Sequence, residues 1–324
     1  MLDTAITSVG DDGFCYRGRS VEALARARTP FEAVADLLWE APAGEPWPDG
    51  ACDAPRVDRA LPIVERYVDV ALALGRADGA ARVDEAGERV RARGLLRAMA
   101  VVTGDATGDA TGAAAGRIAE VLAAVTGVGV AHAWRFDVVL AVIADHELNA
   151  SSFVARVAAS AEADLYGCVS AALQVLKGNL HGGVSDCVEA LLATLDASGE
   201  AREGMRAALQ RRVDAGGDVP GFGHKLYPQG DPRVGPMFDA VEGIASPAAA
   251  AVHAYREAGV AVTGQAATVD IALVTFAAAL GLPSGTATAL FALGRTAGWV
   301  AHVLEQRRAG VLLRPRARYV GLRG

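Results

Sequence analysis

The chain has six histidines, at positions 132, 146, 181, 224, 253 and 302, few enough for each local setting to be weighed. His181 lies in Lys177-Gly-Asn-Leu-His181-Gly-Gly183, at the junction of two helical patterns. The positive end of a helix disfavours an imidazolium, so a histidine there stays neutral and can donate a hydrogen bond to a developing oxyanion. The two glycines that follow leave room for a ligand against the backbone. A plain turn histidine between glycines explains the same segment equally well. His224 lies in Pro220-Gly-Phe-Gly-His224-Lys-Leu-Tyr, and Asp231-Pro-Arg233 follows. Gly221 and Gly223 can turn backbone N–H groups toward an anion or a nucleobase edge, and Arg233 can fork onto a carboxylate. An ordinary solvent loop is the alternative.

Other polar groups stand in apolar surroundings. Asp270, in Ala266-Ala-Thr-Val-Asp270-Ile-Ala-Leu, enters an apolar segment. Burial there raises a carboxyl pKa and suits it to general-base work, although such an aspartate also reads as an N-cap. Arg295 interrupts the apolar stripe 290–304, where an arginine needs a carboxylate from the protein or a ligand. Arg314 and Arg316 sit in a basic tail that is either solvated or reaches a site. His146, in Asp145-His-Glu-Leu-Asn149, is followed by Ala150 where a zincin helix has its second histidine. The four cysteines, Cys15, Cys52, Cys168 and Cys187, have no ligand spacing, which suits reduced thiols, and Cys168 and Cys187 read as core. With no Walker sequence, no G-x-G-x-x-G and no G-x-S-x-G elbow, the expectation is neither a metal site nor a nucleotide-binding fold.

The elements that hold these residues read as helices. No proline occurs between Pro62 and Pro220, so that stretch can be helical almost throughout. Apolar residues at threes and fours predict a helix over 151–177 ended by Gly178, and a second over 184–195 capped by Ser185 or Asp186 and stopped by Gly199. Thr29-Pro-Phe-Glu32 predicts a capping box, with a short helix ending at Trp39. A long helix covers 290–304, where Gly294 and Gly298 allow a neighbour to approach closely. Residues 41–56 read as a surface loop, and the small tandem repeat at 104–112 as an exposed connection. One short strand, Gly13 to Tyr16, is the only β signal. The fold class is all-α.

Composition agrees. Of the 324 residues 52% are apolar, which fills a sizeable core, and much of that is alanine, which suits packed helices better than a lipid-facing span. Apolar runs such as 136–144 are too short to cross a bilayer, and Met-Leu-Asp-Thr lacks the basic start of a secretion signal, so a cytoplasmic chain is expected. A net charge of −7 argues against nucleic-acid binding, so an anionic ligand must be held by a few placed arginines.

Taken in order, DHELNASSFVARVAAS, LKGNLHGG, PGFGHKLYPQGDPR, TVD, LFALGRTAGWVAHVLEQ and LLRPRARYVG resemble the citrate synthase family. ITSVGDDGFCYRGRSVEALA is similar to that family's N-terminal segment, so that no NADH-binding regulatory domain is expected before it. The resemblance implies an all-helical homodimer. Its large domain, residues 1–180 and 281–324, would carry dimerisation and the oxaloacetate site. A smaller domain, 181–280, would bind CoA and close over the substrates about hinges near 180 and 280. It implies condensation of an acyl-CoA, acetyl-CoA first, with oxaloacetate, then thioester hydrolysis to citrate and CoA, with no metal or further cofactor. A 2-methylcitrate synthase or another paralogue is the runner-up. A catalytically silent helical binding protein and a lyase working in the cleavage direction are further readings. By position, Asp270 would remove the α-proton, His181 would stabilise the enol, and His224 would polarise the keto carbonyl. His146, Arg233 and Arg295 match the oxaloacetate ligands, and Arg314 an arginine contributed across the dimer. Pro220, Gly221, Phe222, Gly223 and Lys225 fall in the CoA segment. The chain departs from the family at Ala267-Thr268, usually Pro-Asn, and at Pro228, often basic.

Overall fold

Regular spacing of apolar side chains turns nearly every segment into helix, and the computed structural model describes residues 2–10, 13–48, 54–79, 83–104, 115–198 and 200–322. Cys52, most of the tandem repeat and the helix stop at Gly199 lie outside the described residues. The chain opens with a small antiparallel sheet of β1 (Thr7–Gly10), β2 (Gly13–Tyr16) and β3 (Arg19–Ser20). The expected strand at 13–16 is therefore the centre of three, with Thr7 paired to Tyr16 and Tyr16 to Arg19. Fourteen α-helices follow among the described residues. They are α1 (Val21–Arg26), α2 (Phe31–Trp39), α3 (Ile63–Asp78), α4 (Glu85–Thr103), α5 (Ile118–Val125), α6 (Ala133–Ile143) and α7 (Ala150–Ser160). The remainder are α8 (Leu165–Leu176), α9 (Val184–Ala197), α10 (Glu200–Asp214), α11 (Val234–Asp239), α12 (Pro247–Thr263), α13 (Val269–Ala279) and α14 (Thr286–Ala309). The all-α expectation holds, and no helix among the described residues is long and apolar enough to cross a membrane.

α14 is the axis of the molecule. It is buried on every face from Thr286 to Leu304 and packs against α2, α3, α4, α6, α7, α8, α9 and α13. A helix buried all round needs small residues where neighbours cross. At Gly298 the backbone N–H donates to Ala144 O at 3.0 Å, and a Cβ would strike Ala144 O and Asp145 Oδ1. At Gly294 a Cβ would fall 2.6 Å from Ile143 Cγ1. These two glycines bring the end of α6 onto α14 and set the turn 145–149. Helices α9, α10, α12 and α13 pack on one another and join the rest chiefly through α13 and α9 on α14 and α11 on α6.

Four local expectations are corrected. The segment 151–177 is two helices that pack against each other, because Asp164 caps a new start by accepting from Gly167 N at 2.9 Å while Glu162 turns left-handed at φ 64°. The capping box at Thr29 does not form. Instead Phe31 N donates to Asp137 Oδ1 at 2.9 Å, and Glu32 accepts from Ile118 N at 2.6 Å. The described part of loop 41–56 is more than surface, since Trp47 stacks on Trp39 at 5.6 Å and donates to Asp36, while Glu45 pairs with Arg89 and Arg93. The cap of α9 is Gly183, and Ser185 and Asp186 lie inside its first turn.

Gly298→Ala forces a methyl group into backbone atoms that cannot move alone, so it should destabilise the protein by roughly 1 to 3 kcal/mol. A thermal melt would show this, and an unchanged midpoint would contradict the close crossing.

Candidate active site

A cleft of about 590 Å³ opens between α9, the start of α13, the first half of α14 and the loop 218–224. His146, His181, His224, Asp270, Arg233 and Arg295 all line it, with Pro220, Gly221, Phe222 and Gly223 along one wall. Lys225 and Arg314 do not: both are exposed and lie outside the lining of their own chain's cleft.

The turn holding His181 is folded back on the helix it leaves. Gly183 N donates to Leu176 O at 3.1 Å and to Gly178 O at 3.2 Å. A Cβ at Gly182 would fall 2.7 Å from Leu176 Cδ2 and 2.8 Å from Phe291 Cδ1. The glycines are needed for this packing, and helix α8 already ends at Leu176, ahead of Gly178. His181 Nε2 lies 2.7 Å from Ser151 Oγ, which receives the donor-only Trp299 N–H at 3.0 Å. The one proton of Ser151 is then available to His181 or to Asn149 Oδ1, 2.8 Å away. Burial, followed by the fields of Arg295 and Arg233, lowers the His181 pKa to about 4, so the ring is neutral as the helix-terminus argument requires.

The loop holding His224 is stitched to the start of α13. Gly223 N donates to Ala266 O and Thr268 N to Gly221 O, both at 2.9 Å, around an isolated bridge between Phe222 and Ala267. Gly221 has φ 90°, and a Cβ there would meet Ile271 Cδ1 at 2.6 Å, so only glycine fits. Tyr255 donates to Pro220 O at 2.8 Å, and the Phe222 ring occupies the space above Gly259. Leu226 N donates to His224 Nδ1 at 3.2 Å, so the neutral ring carries its proton on Nε2. Burial and Arg233 keep this pKa below its ordinary value.

Asp270 sits in the first turn of α13, behind the cap residue Thr268. Its Oδ1 accepts from Ser185 Oγ at 3.0 Å, and its Oδ2 lies 3.0 Å from Thr268 Oγ1. The same threonine hydroxyl is 3.2 Å from Gly221 O, so Thr268 fills the place where Asn is usual and ties the carboxylate to the loop. Burial raises the Asp270 pKa, opposed by these two hydroxyls and by Arg233.

The two arginines differ. Arg233 is 3% exposed and forks onto Asp231 through Nε (2.8 Å) and Nη2 (2.7 Å). Asp231 in turn accepts from Val269 N at 3.1 Å, beside Asp270. Arg295 is 1% exposed; its Nε donates to Ile143 O at 2.9 Å, and its carbon centre stands 4.7 Å over the Phe291 ring. Its Nη2 is buried with no hydrogen-bond partner among the described residues. No carboxylate pairs with it directly among the described residues, although the buried Asp145 acts on it through its charge; burial, the largest effect, lowers its pKa to about 10, still cationic at neutral pH. His146 is presented by a turn in which Glu147 takes φ 54° and Asn149 Oδ1 accepts from Ser151 N and Ser152 N at 3.1 Å.

The profile of the citrate synthase C-terminal domain matches residues 71–316. The chain belongs to the citrate synthase family. Among curated citrate synthase relatives, the citrate synthase of Haloferax volcanii is 39% identical over 194 residues, 57% of this chain and 50% of that one. The 2-methylcitrate synthase 1 of Corynebacterium glutamicum is 35% identical over 192 residues, 58% of this chain and 49% of that one. The chain thus spans about half the length of the curated relatives it matches. Among solved structures, citrate synthase from Thermoplasma acidophilum, in ternary complex with carboxymethyl coenzyme A and oxaloacetate, superposes with TM-score 0.83 at 23% identity over 100% of this chain and 94% of that one. At that identity the likeness carries the fold.

Three residues of the cleft region are not anticipated by the sequence reading. Ser151 gives no signal, because a serine in an apolar helix pattern looks like filler, and Ser185 reads as a helix cap and not as the partner of Asp270. Tyr227 stands three residues after His224, the spacing at which a turn brings side chains together, and that much is legible. Cys187, read as core, is half-buried and lines the cleft. Among the described residues no cluster of three or more metal-type ligands occurs.

A neutral His181 has a testable signature. An NMR titration should find its ring uncharged from pH 8 down to about 5, because burial and positive neighbours oppose protonation. A midpoint near 6.5 would show that the cleft does not desolvate it.

Proposed function

We propose that this chain condenses an acyl-CoA with oxaloacetate and hydrolyses the thioester so formed, acetyl-CoA being the first acyl donor to test and propionyl-CoA the second. The observation that carries this reading is the cleft itself: a buried carboxylate, neutral imidazoles and two buried guanidiniums line one cavity, and one guanidinium nitrogen has no protein partner among the described residues. Desolvated positive charge of that kind calls for an anion, and a keto dicarboxylate supplies two.

The geometry supports the following chemistry. The Asp270 carboxylate takes a proton from the acyl α-carbon. The electron pair moves into an enol whose oxygen is hydrogen-bonded by His181. A carboxylate is too weak a base for this carbon unless the oxyanion is stabilised at the same moment. The enol carbon then attacks the keto carbon, forming the new C–C bond, while Nε2–H of His224 polarises the keto oxygen and lets it become a hydroxyl. Water finally cleaves the thioester, releasing CoA as the thiol and leaving a tricarboxylate. His146, Arg233 and Arg295 would hold the oxaloacetate carboxylates, and the 220–223 wall would receive CoA, with Lys225 at its exposed end. No metal and no further cofactor is called for by these steps.

Residues 181–280 form the smaller domain in this reading, closing on 1–180 and 281–324, and the exposed Arg314 completes the site of a second protomer. The extended tail beyond α14, with Val311, Leu312 and Tyr319 uncovered, supports this role for the tail.

Release of free thiol from acetyl-CoA or propionyl-CoA, dependent on oxaloacetate, should be observed, and Asp270→Asn should reduce it by about 10²-fold or more. The ratio of the two rates assigns the acyl preference, and a chain inert with both donors overturns the proposal. Small-angle scattering should give the mass of a dimer and a smaller radius when oxaloacetate is added; a monomer, or an unchanged curve, rules against the shared site or the closure respectively.

A further inference from the structure

His146 stands where three rings converge. Phe14 of β2 meets it edge-on at 5.9 Å, His224 at 5.5 Å and Tyr227 at 5.4 Å. It is buried, and Arg233 and Arg295 both bear on it; burial first, then these charges, hold its pKa far below the ordinary histidine value. The ring is therefore neutral. A neutral imidazole has one N–H and one lone pair, and which nitrogen carries the proton decides what it can offer a ligand.

One nitrogen is already engaged. Nε2 lies 2.7 Å from the Tyr227 hydroxyl. Nδ1 has no hydrogen-bond partner among the described residues, and the ring lines the cleft. Burial pushes the Tyr227 phenol up to about 12, so it keeps its proton. That proton has no acceptor other than Nε2 of His146 among the described residues. In the opposite arrangement His146 would donate to Tyr227, the phenol proton would have no protein acceptor among the described residues, and Nδ1 would turn a lone pair toward the cleft. A lone pair repels the oxygens of a bound carboxylate, whereas an N–H receives them.

We propose that Tyr227 donates its phenolic proton to Nε2 of His146 and so fixes the Nδ1–H tautomer, placing a neutral N–H donor in the cleft for a substrate oxygen. Tyr227 is a positioning residue that acts through His146. It is well placed in the fold to do so. Tyr227 N donates to His224 O at 3.0 Å, and its ring stacks on His224 at 4.9 Å with planes 25° apart. One side chain thereby touches both imidazoles of the keto-acid end. The need for a donor rests on the proposed oxaloacetate site; the tautomer does not depend on it.

The experiment uses the full chain labelled with ¹⁵N-histidine, with the His146 signals identified by their loss in His146→Gln. Long-range ¹H–¹⁵N correlation should show wild-type His146 protonated on Nδ1, and Tyr227→Phe, which keeps the ring and its stack, should shift the population toward Nε2–H. In steady state the same variant should raise KM for oxaloacetate roughly tenfold, the scale of one lost hydrogen bond to a charged group, with kcat and KM for the acyl-CoA within about twofold. A wild-type ring protonated on Nε2 overturns the proposal, and so does a tautomer unchanged in Tyr227→Phe. If the wild type turns over no oxaloacetate, the substrate reading fails, and the spectrum still decides the tautomer.

Discussion

Two guanidiniums buried side by side in a chain of net charge −7 govern the chemistry of the cleft. Each costs desolvation free energy that must be returned by a partner. Arg233 obtains it from Asp231, in a two-bond fork, and its charge still bears on the neighbouring imidazoles. Arg295 obtains part of it from Ile143 O, the face of Phe291 and the field of the buried Asp145, and its Nη2 is left without a hydrogen-bond partner among the described residues. Its field reaches the neighbouring imidazoles, and with burial it keeps them uncharged. The site is therefore built of donors and one carboxylate, with positive charge confined to the arginines.

Neutral imidazoles bring a second requirement, because each has two tautomers of similar energy and only one aims its proton at a ligand. A different neighbour meets a nitrogen of each ring. A backbone N–H from Leu226 occupies Nδ1 of His224. The Ser151 hydroxyl, itself receiving Trp299, faces Nε2 of His181. The Tyr227 phenol faces Nε2 of His146. Each hydrogen bond contributes only about 0.5 to 1.5 kcal/mol, yet that suffices to choose between two nearly equal states.

Much of this is legible in the residues. Helical class follows from periodicity and from the long proline-free stretch, and the gathering of His181, His224, Asp270, His146, Arg233 and Arg295 follows from motif order. What fails has local causes. The helix break at Glu162 is invisible because a left-handed glutamate carries no signature, and Asp164 reads as one more polar position. The Thr29 capping box is displaced by Asp137, which lies 106 residues from Phe31, a competitor no local rule can see. The glycines after His181 suggest room for a ligand, when Gly182 accommodates Leu176 and Phe291 and Gly183 the backbone of Lys177 and Gly178. Arg295 is expected to have a carboxylate partner; it has only the field of Asp145, and it is its unpartnered Nη2 that points to an anion.

The backbone bridge between Phe222 and Ala267 does more than close a loop. It splices the proline-glycine wall to the residue that caps the helix of Asp270, and Thr268 adds a hydroxyl lying between Gly221 O and that carboxylate. In the proposed reaction the loop that receives CoA is thus tied through backbone to the helix that carries the base, and Gly221, packed against Ile271, leaves little slack between the two.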